Sequence, residues 1–96
     1  MGKEELEFRP KEIHMSIIIQ VTAEDISKGR PSKVRFCPIA LAATRQFPGR
    51  YIGVGYRALH IGNTVYRLPP SAVRFIQDFD LWVMTQPFSF VATAIN

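Results

Sequence analysis

One cysteine, Cys37, stands in a chain of 96 residues. An internal disulfide and a cysteine-built zinc cluster are therefore excluded, and a reducing cytoplasm is the expected compartment. No apolar run approaches the roughly 20 residues that cross a bilayer as a helix. The start is acidic and polar, which does not suit a secretory signal. No repeat and no low-complexity tract is present. The most telling absence is of acid. Between Ile26 and Gln77 there is no Asp or Glu, yet the stretch holds Lys28, Arg30, Lys33, Arg35, Arg45, Arg50, Arg57, Arg67 and Arg74. The acids lie outside it, at Glu4, Glu5, Glu7, Glu12, Glu24, Asp25, Asp78 and Asp80. A formal net charge of +4 thus conceals a basic centre between two acidic ends. Charge of one sign spread through a folded segment attracts polyanions. With few acids nearby, much of it is left for a partner.

What is present suits one ordinary globular domain. The hydrophobic fraction is 47% and the charged fraction 21%, which argues against wholesale disorder. Residues 1–12 are mostly polar and read as a mobile arm, with a single domain over 13–96. Ile13, Met15, Ile17, Ile19 and Val21 alternate with His14, Ser16, Ile18 and Gln20, the period of a half-buried strand. Thr22 and Asp25 have capping-box spacing, so a short helix should run from about Ala23 to Lys28, with Gly29 as a left-handed stop. After a basic loop, Pro38–Phe47 reads as a helix closed by Pro48-Gly49; its alanines keep it slim.

Tyr51–Ile61 and Thr64–Leu68 read as two strands joined at Gly62-Asn63. That register puts Leu59, Ile61, Tyr66 and Leu68 on a core face. Tyr56, Ala58, His60, Val65 and Arg67 share the wetter one. Gly53 and Gly55 suggest a bulge or a close backbone approach. Ala72, Phe75, Ile76 and Phe79 form the apolar stripe of a helix over about Pro70–Phe79, with Arg74 and Asp78 one turn apart on the other side. Phe88–Ile95 is a last strand. The expected fold is α+β: a mainly antiparallel sheet of about four strands with two or three helices on one face. The expected core is Ile17, Ile19, Leu41, Leu59, Leu68, Phe75, Ile76, Phe79 and Phe90.

Catalytic signals are thin. Cys37 precedes a helix, with Lys33 and Arg35 nearby, which favours a thiolate. No base is placed beside it, and the plainer reading is a half-buried structural cysteine. His14 and His60 each stand apart from other metal-ligand types. Gly49, Gly53 and Gly55 do not match a phosphate-cradling pattern, because Ala58 occupies the third glycine place and no helix follows. Ser16 and Ser71 lack a nucleophile context. Asp78 and Asp80 could form an acid–base pair, but read more simply as charges at a helix end. No enzyme, no cofactor and no metal is expected. Several bases adjoin an aromatic, at Arg35-Phe36, Arg50-Tyr51, Tyr56-Arg57, Tyr66-Arg67 and Arg74-Phe75. This is the interleaving of nucleic-acid binders, although strand neighbours point to opposite faces.

Val21-Thr-Ala-Glu-Asp-Ile-Ser-Lys-Gly29, Cys37-Pro-Ile-Ala-Leu-Ala42, Leu68-Pro-Pro-Ser-Ala-Val-Arg-Phe-Ile-Gln-Asp-Phe-Asp80 and Pro87-Phe-Ser-Phe90 resemble a loose group of short proteins encoded by tailed bacteriophages and prophages. The likeness covers most of residues 16–92. Members often carry a second cysteine three places before the Cys-Pro. Here that place is Val34, so a role for such a pair does not carry over. The resemblance implies a small accessory protein of a mobile element, in the cytoplasm of a bacterial host, and supplies no catalytic residue. Such proteins are frequently inhibitors of host defence, anti-CRISPR proteins among them.

The expected activity is therefore stoichiometric binding of an anionic macromolecule: a nucleic acid, a ribonucleoprotein or an acidic protein surface. Its most concrete form is inhibition of a host CRISPR effector. A general DNA- or RNA-binding accessory protein is the alternative, and a small Cys37 enzyme is a more distant one. The expected binding residues are Lys28, Arg30, Lys33, Arg35, Arg50, Tyr56, Arg57, His60 and Arg67. No membrane partner is expected, and the oligomeric state is left open.

Overall fold

A computed structural model describes residues 16–95. The expected arm, the candidate His14 and the strand residues Ile13 and Met15 lie outside the described residues. The elements are β1 (Ser16–Val21), α1 (Ala23–Lys28), α2 (Pro38–Gln46), β2 (Ile52–Val54), β3 (Ala58–Ile61), β4 (Thr64–Arg67), α3 (Pro70–Asp80) and β5 (Phe88–Ala94). The strands form one antiparallel sheet in the order β1-β5-β4-β3-β2. The fold is α+β, with five strands where about four were expected.

The extra strand comes from a reversal inside 51–61. The chain turns at Tyr56-Arg57, where the Gly55 amide donates to the Ala58 carbonyl at 2.8 Å. β2 then folds back on β3, with Ile52 opposite Ile61 and Val54 opposite Leu59. Tyr-Arg carries no turn signature, so the apolar pattern reads straight through it. The second hairpin follows its sequence signal. Gly62 takes φ +60°, Ile61 faces Thr64, and Leu59 faces Tyr66.

The period of two in β1 buries Ile19 and Val21 and half-buries Ile17, opposite Phe90, Phe88 and Ala92 of β5. On the reverse face Ile18 opposes Val91, and both are exposed. β4 and β5 pair briefly, Tyr66 with Ala94 and Arg67 with Thr93, and the Ile95 amide donates to the Val65 carbonyl just beyond. The sheet is thus two ladders with a narrow seam. Helix α2 closes it by packing on both edge strands, β1 and β2. Its fully buried Ile39, Ala40, Ala42 and Ala43 let the backbone come close. Leu41, expected in the core, is only half-buried and outside the main apolar cluster. On this helix the alanines, not the leucine, face inward. Helix α3 lays its stripe across β5: Phe75 stacks on Phe88 at 4.7 Å between centroids, and Phe88 on Phe90 at 5.4 Å. Burying one such side chain contributes about 1.5–3 kcal/mol.

Helix α1 starts in the expected capping box. Thr22 Oγ1 accepts from the Asp25 amide, and Asp25 Oδ2 accepts from the Thr22 amide. Its end differs from expectation. Gly29 is extended, at φ −70°, rather than left-handed. The glycine is required for a different reason: a β-carbon there would lie 2.6 Å from the Pro38 ring.

Both sheet edges are occupied. At β1, Gln46 Nε2 donates to the Ile18 carbonyl, Gln46 Oε1 accepts from the Gln20 amide, and Arg45 donates to the Gln20 carbonyl. At β2, the Val54 amide donates to the Val34 carbonyl in the basic loop. Open strand edges invite pairing with other chains, and these contacts blunt both.

Candidate functional site

The acid-free segment's nine bases fall into distinct settings. Lys28 pairs with Glu24 one turn back at 2.8 Å, on the surface. That contact pulls Glu24 below the usual carboxylate range and pushes Lys28 up. Arg45 pairs at 2.7 Å with Asp25, a buried carboxylate that already serves the α1 cap. Both are therefore engaged by the acids flanking the segment. The other seven form no ion pair among the described residues.

Three of the seven sit on the loop between α1 and α2. Its backbone is pinned: the Ser32 amide donates to Asp80 Oδ1, the Arg30 amide to the Phe36 carbonyl, and Val34 is bonded to β2. The pinned loop leaves Arg30, Lys33 and Arg35 exposed. Asp80 thus anchors the loop. Arg35 lies over the Tyr51 ring at 5.1 Å. Tyr51 in turn lies over Gly53, whose added β-carbon would meet its hydroxyl at 2.9 Å. The close approach expected at Gly53 is therefore made by Tyr51. His60 opposes Gly53 in the ladder and is exposed on that same outer face. Arg50 is exposed beside Gly62.

Of the expected grouping, His60 and Arg67 do share the outer face, but Tyr56 does not join them. Tyr56 sits in the turn, and its hydroxyl accepts from Gln77 of α3, on the helix side of the sheet. Arg57 lies over its ring at 5.5 Å. Tyr51 takes the outer-face place that the single long strand assigned to Tyr56. Had the reversal at Tyr56-Arg57 been legible, Tyr51 and Gly53 would have revealed that patch.

Where β4 leaves the sheet for α3, a groove of about 600 Å³ opens. Arg57, Arg67 and Arg74 line it, from the β2–β3 turn, the end of β4 and the second turn of α3. The Leu68 amide donates to the Arg57 carbonyl at 3.0 Å, which ties two of these segments together. The apolar lining comes from Ala58, Leu68, Val73 and Ile95, and among the described residues no acid takes part. Arg74 and Asp78 lie one turn apart on α3, but no ion pair joins them. Sequence adjacency hid the site, because the buried neighbours Tyr66 and Phe75 point away from Arg67 and Arg74.

Cys37 is the N-cap of α2 and is buried. Burial pushes its thiol up, while the Ala40 and Ile39 amides pull the other way. It lines a cavity of about 190 Å³ with Lys33, Asp80 and Tyr56, and among the described residues no histidine lines it. Burial of this kind lowers the thiolate character of a cysteine. Among the described residues no group of three His, Cys, Asp or Glu is placed to hold a metal. No helix there is long and apolar enough to cross a membrane. After α3, Leu81, Trp82, Val83 and Met84 are exposed. Trp82 has φ +65° at the place where helices favour glycine. No known protein family, no curated protein and no solved structure matches the chain.

Proposed function

We propose that this chain is a non-enzymatic binding protein for an anionic macromolecule, a nucleic acid or nucleoprotein. Its most concrete form is a phage or mobile-element inhibitor that occupies the nucleic-acid path of a host CRISPR effector. The observation that carries the reading is the set of seven bases that form no ion pair among the described residues, where Lys28 and Arg45 alone are spent on acids. Unpaired exposed guanidinium and ammonium groups contribute little to folding and remain available to phosphate. Arg35 on Tyr51 adds an exposed aromatic to the charge, as single-strand binders do. The effector assignment rests on the resemblance to phage accessory proteins; the anion binding rests on the surface.

The test is a binding titration against single-stranded and duplex oligonucleotides at two salt concentrations. The parent protein should bind, and more weakly at high salt. Reversal of Arg30, Lys33 and Arg35 to Glu should weaken binding without lowering the melting temperature. Salt-independent binding, or binding indifferent to every charge reversal, would overturn the reading.

A further inference from the structure

We infer that the groove between the β4 end and α3 is a seat for one unstacked nucleotide of a single strand, its base on the apolar wall and its phosphates on Arg67, Arg74 and Arg57. This deepens the proposed function and rests on it. Three features of the groove point to that ligand. The three arginines come from a turn, a strand and a helix yet line one opening, and among the described residues no acid lines it. A guanidinium fork matches phosphate oxygens two at a time. The wall between them is apolar, formed by Ala58, Leu68, Val73 and Ile95, which gives a flat base a surface to leave water on. A duplex keeps its bases stacked and presents only a convex row of phosphates, so it reaches the rim and leaves the wall unfilled.

An acidic peptide is the rival ligand, and the sheet disfavours it. Extended peptides gain much of their affinity by adding a strand to an open edge. Here β1 is capped by Arg45 and Gln46, and β2 by Val34. A peptide would have side chains alone to hold it.

The test uses the full chain with a fluorescent single-stranded oligonucleotide, its duplex, an abasic strand of equal length and an acidic peptide. The variants are Arg67→Glu with Arg74→Glu, and separately the loop reversal of Arg30, Lys33 and Arg35. Arg57 is spared because it stacks on Tyr56. The single strand should bind more tightly than the duplex and the abasic strand. The groove variant should weaken it about tenfold or more and lower the salt slope by roughly one for each arginine lost. Its melting temperature should match the parent's. If the groove variant binds single strands like the parent while the loop variant does not, the groove assignment fails and the proposed function stands. Equal binding of normal and abasic strands would remove the base seat. Preference for the acidic peptide would overturn the nucleotide assignment. If no oligonucleotide binds at any salt, the groove assignment and the nucleic-acid reading fall together.

Discussion

The β1 edge and the groove at the β4 end use arginine in opposite ways. At the edge, Arg45 ties α2 to α1 through Asp25 and to β1 through the Gln20 carbonyl. At the groove, Arg67 and Arg74 have no ion pair at all among the described residues. The difference traces to sequence. Asp25 is the last acid before the barren stretch, and α2 brings Arg45 back to it. Arg67 lies far from either acidic flank, and Arg74, one turn from Asp78, forms no ion pair with it. An arginine that meets a flanking acid becomes architecture, and one that does not becomes available surface.

The sharpest way to break this contrast is to remove the platform beneath the groove. Phe75→Ala should cost about 3–5 kcal/mol, because it opens a void under the Phe88 stack and the α3 helix. Chemical denaturation would show it, and an unchanged midpoint would contradict the packing. Next comes the edge itself. Asp25→Ala removes the acceptor for the Thr22 amide, one half of the α1 capping box, together with the Arg45 partner, and should cost about 1–3 kcal/mol. At the helix end, Trp82→Gly should stabilise by about 1 kcal/mol, since glycine holds φ +65° without strain. A lowered melting temperature would mean that the indole makes contacts worth more than its backbone costs. Smallest of all, Arg67→Ala and Arg74→Ala should shift stability by no more than about 0.5 kcal/mol. If either costs as much as Asp25→Ala, the groove arginines are structural and the contrast dissolves. Cys37 gives a kinetic check: with its thiol pushed up by burial, alkylation at neutral pH should be slow in the native protein and fast once unfolded.

Much of this was legible beforehand because local rules governed it. The Thr22–Asp25 box, the proline starts of α2 and α3, the Gly62-Asn63 turn and the alternation in β1 and β5 each follow from a few neighbouring residues. The α+β class followed from their order. The misses share a cause. The turn at Tyr56-Arg57, the extended Gly29 and the outward Leu41 are all set by contacts with distant segments: β2 on β3, Pro38, and the two sheet edges on α2. The basic loop is legible as charge, but Lys28 at its edge is drawn off to Glu24. The groove escaped notice because its three arginines are spread over 18 positions of sequence, from Arg57 to Arg74, and meet only through the hairpin and the seam.

The pairing of β1 with β5 also governs the order of events at synthesis. Ser16 finds its partner in Thr93, so the first described strand waits for nearly the last. Until that segment leaves the ribosome, Ile17, Ile18 and Ile19 have no sheet to join, whereas β2, β3 and β4 can already form their meander. Such distant pairing slows folding and leaves apolar surface open meanwhile. A nascent chain of this protein is therefore most exposed to aggregation along β1 until β5 has been made.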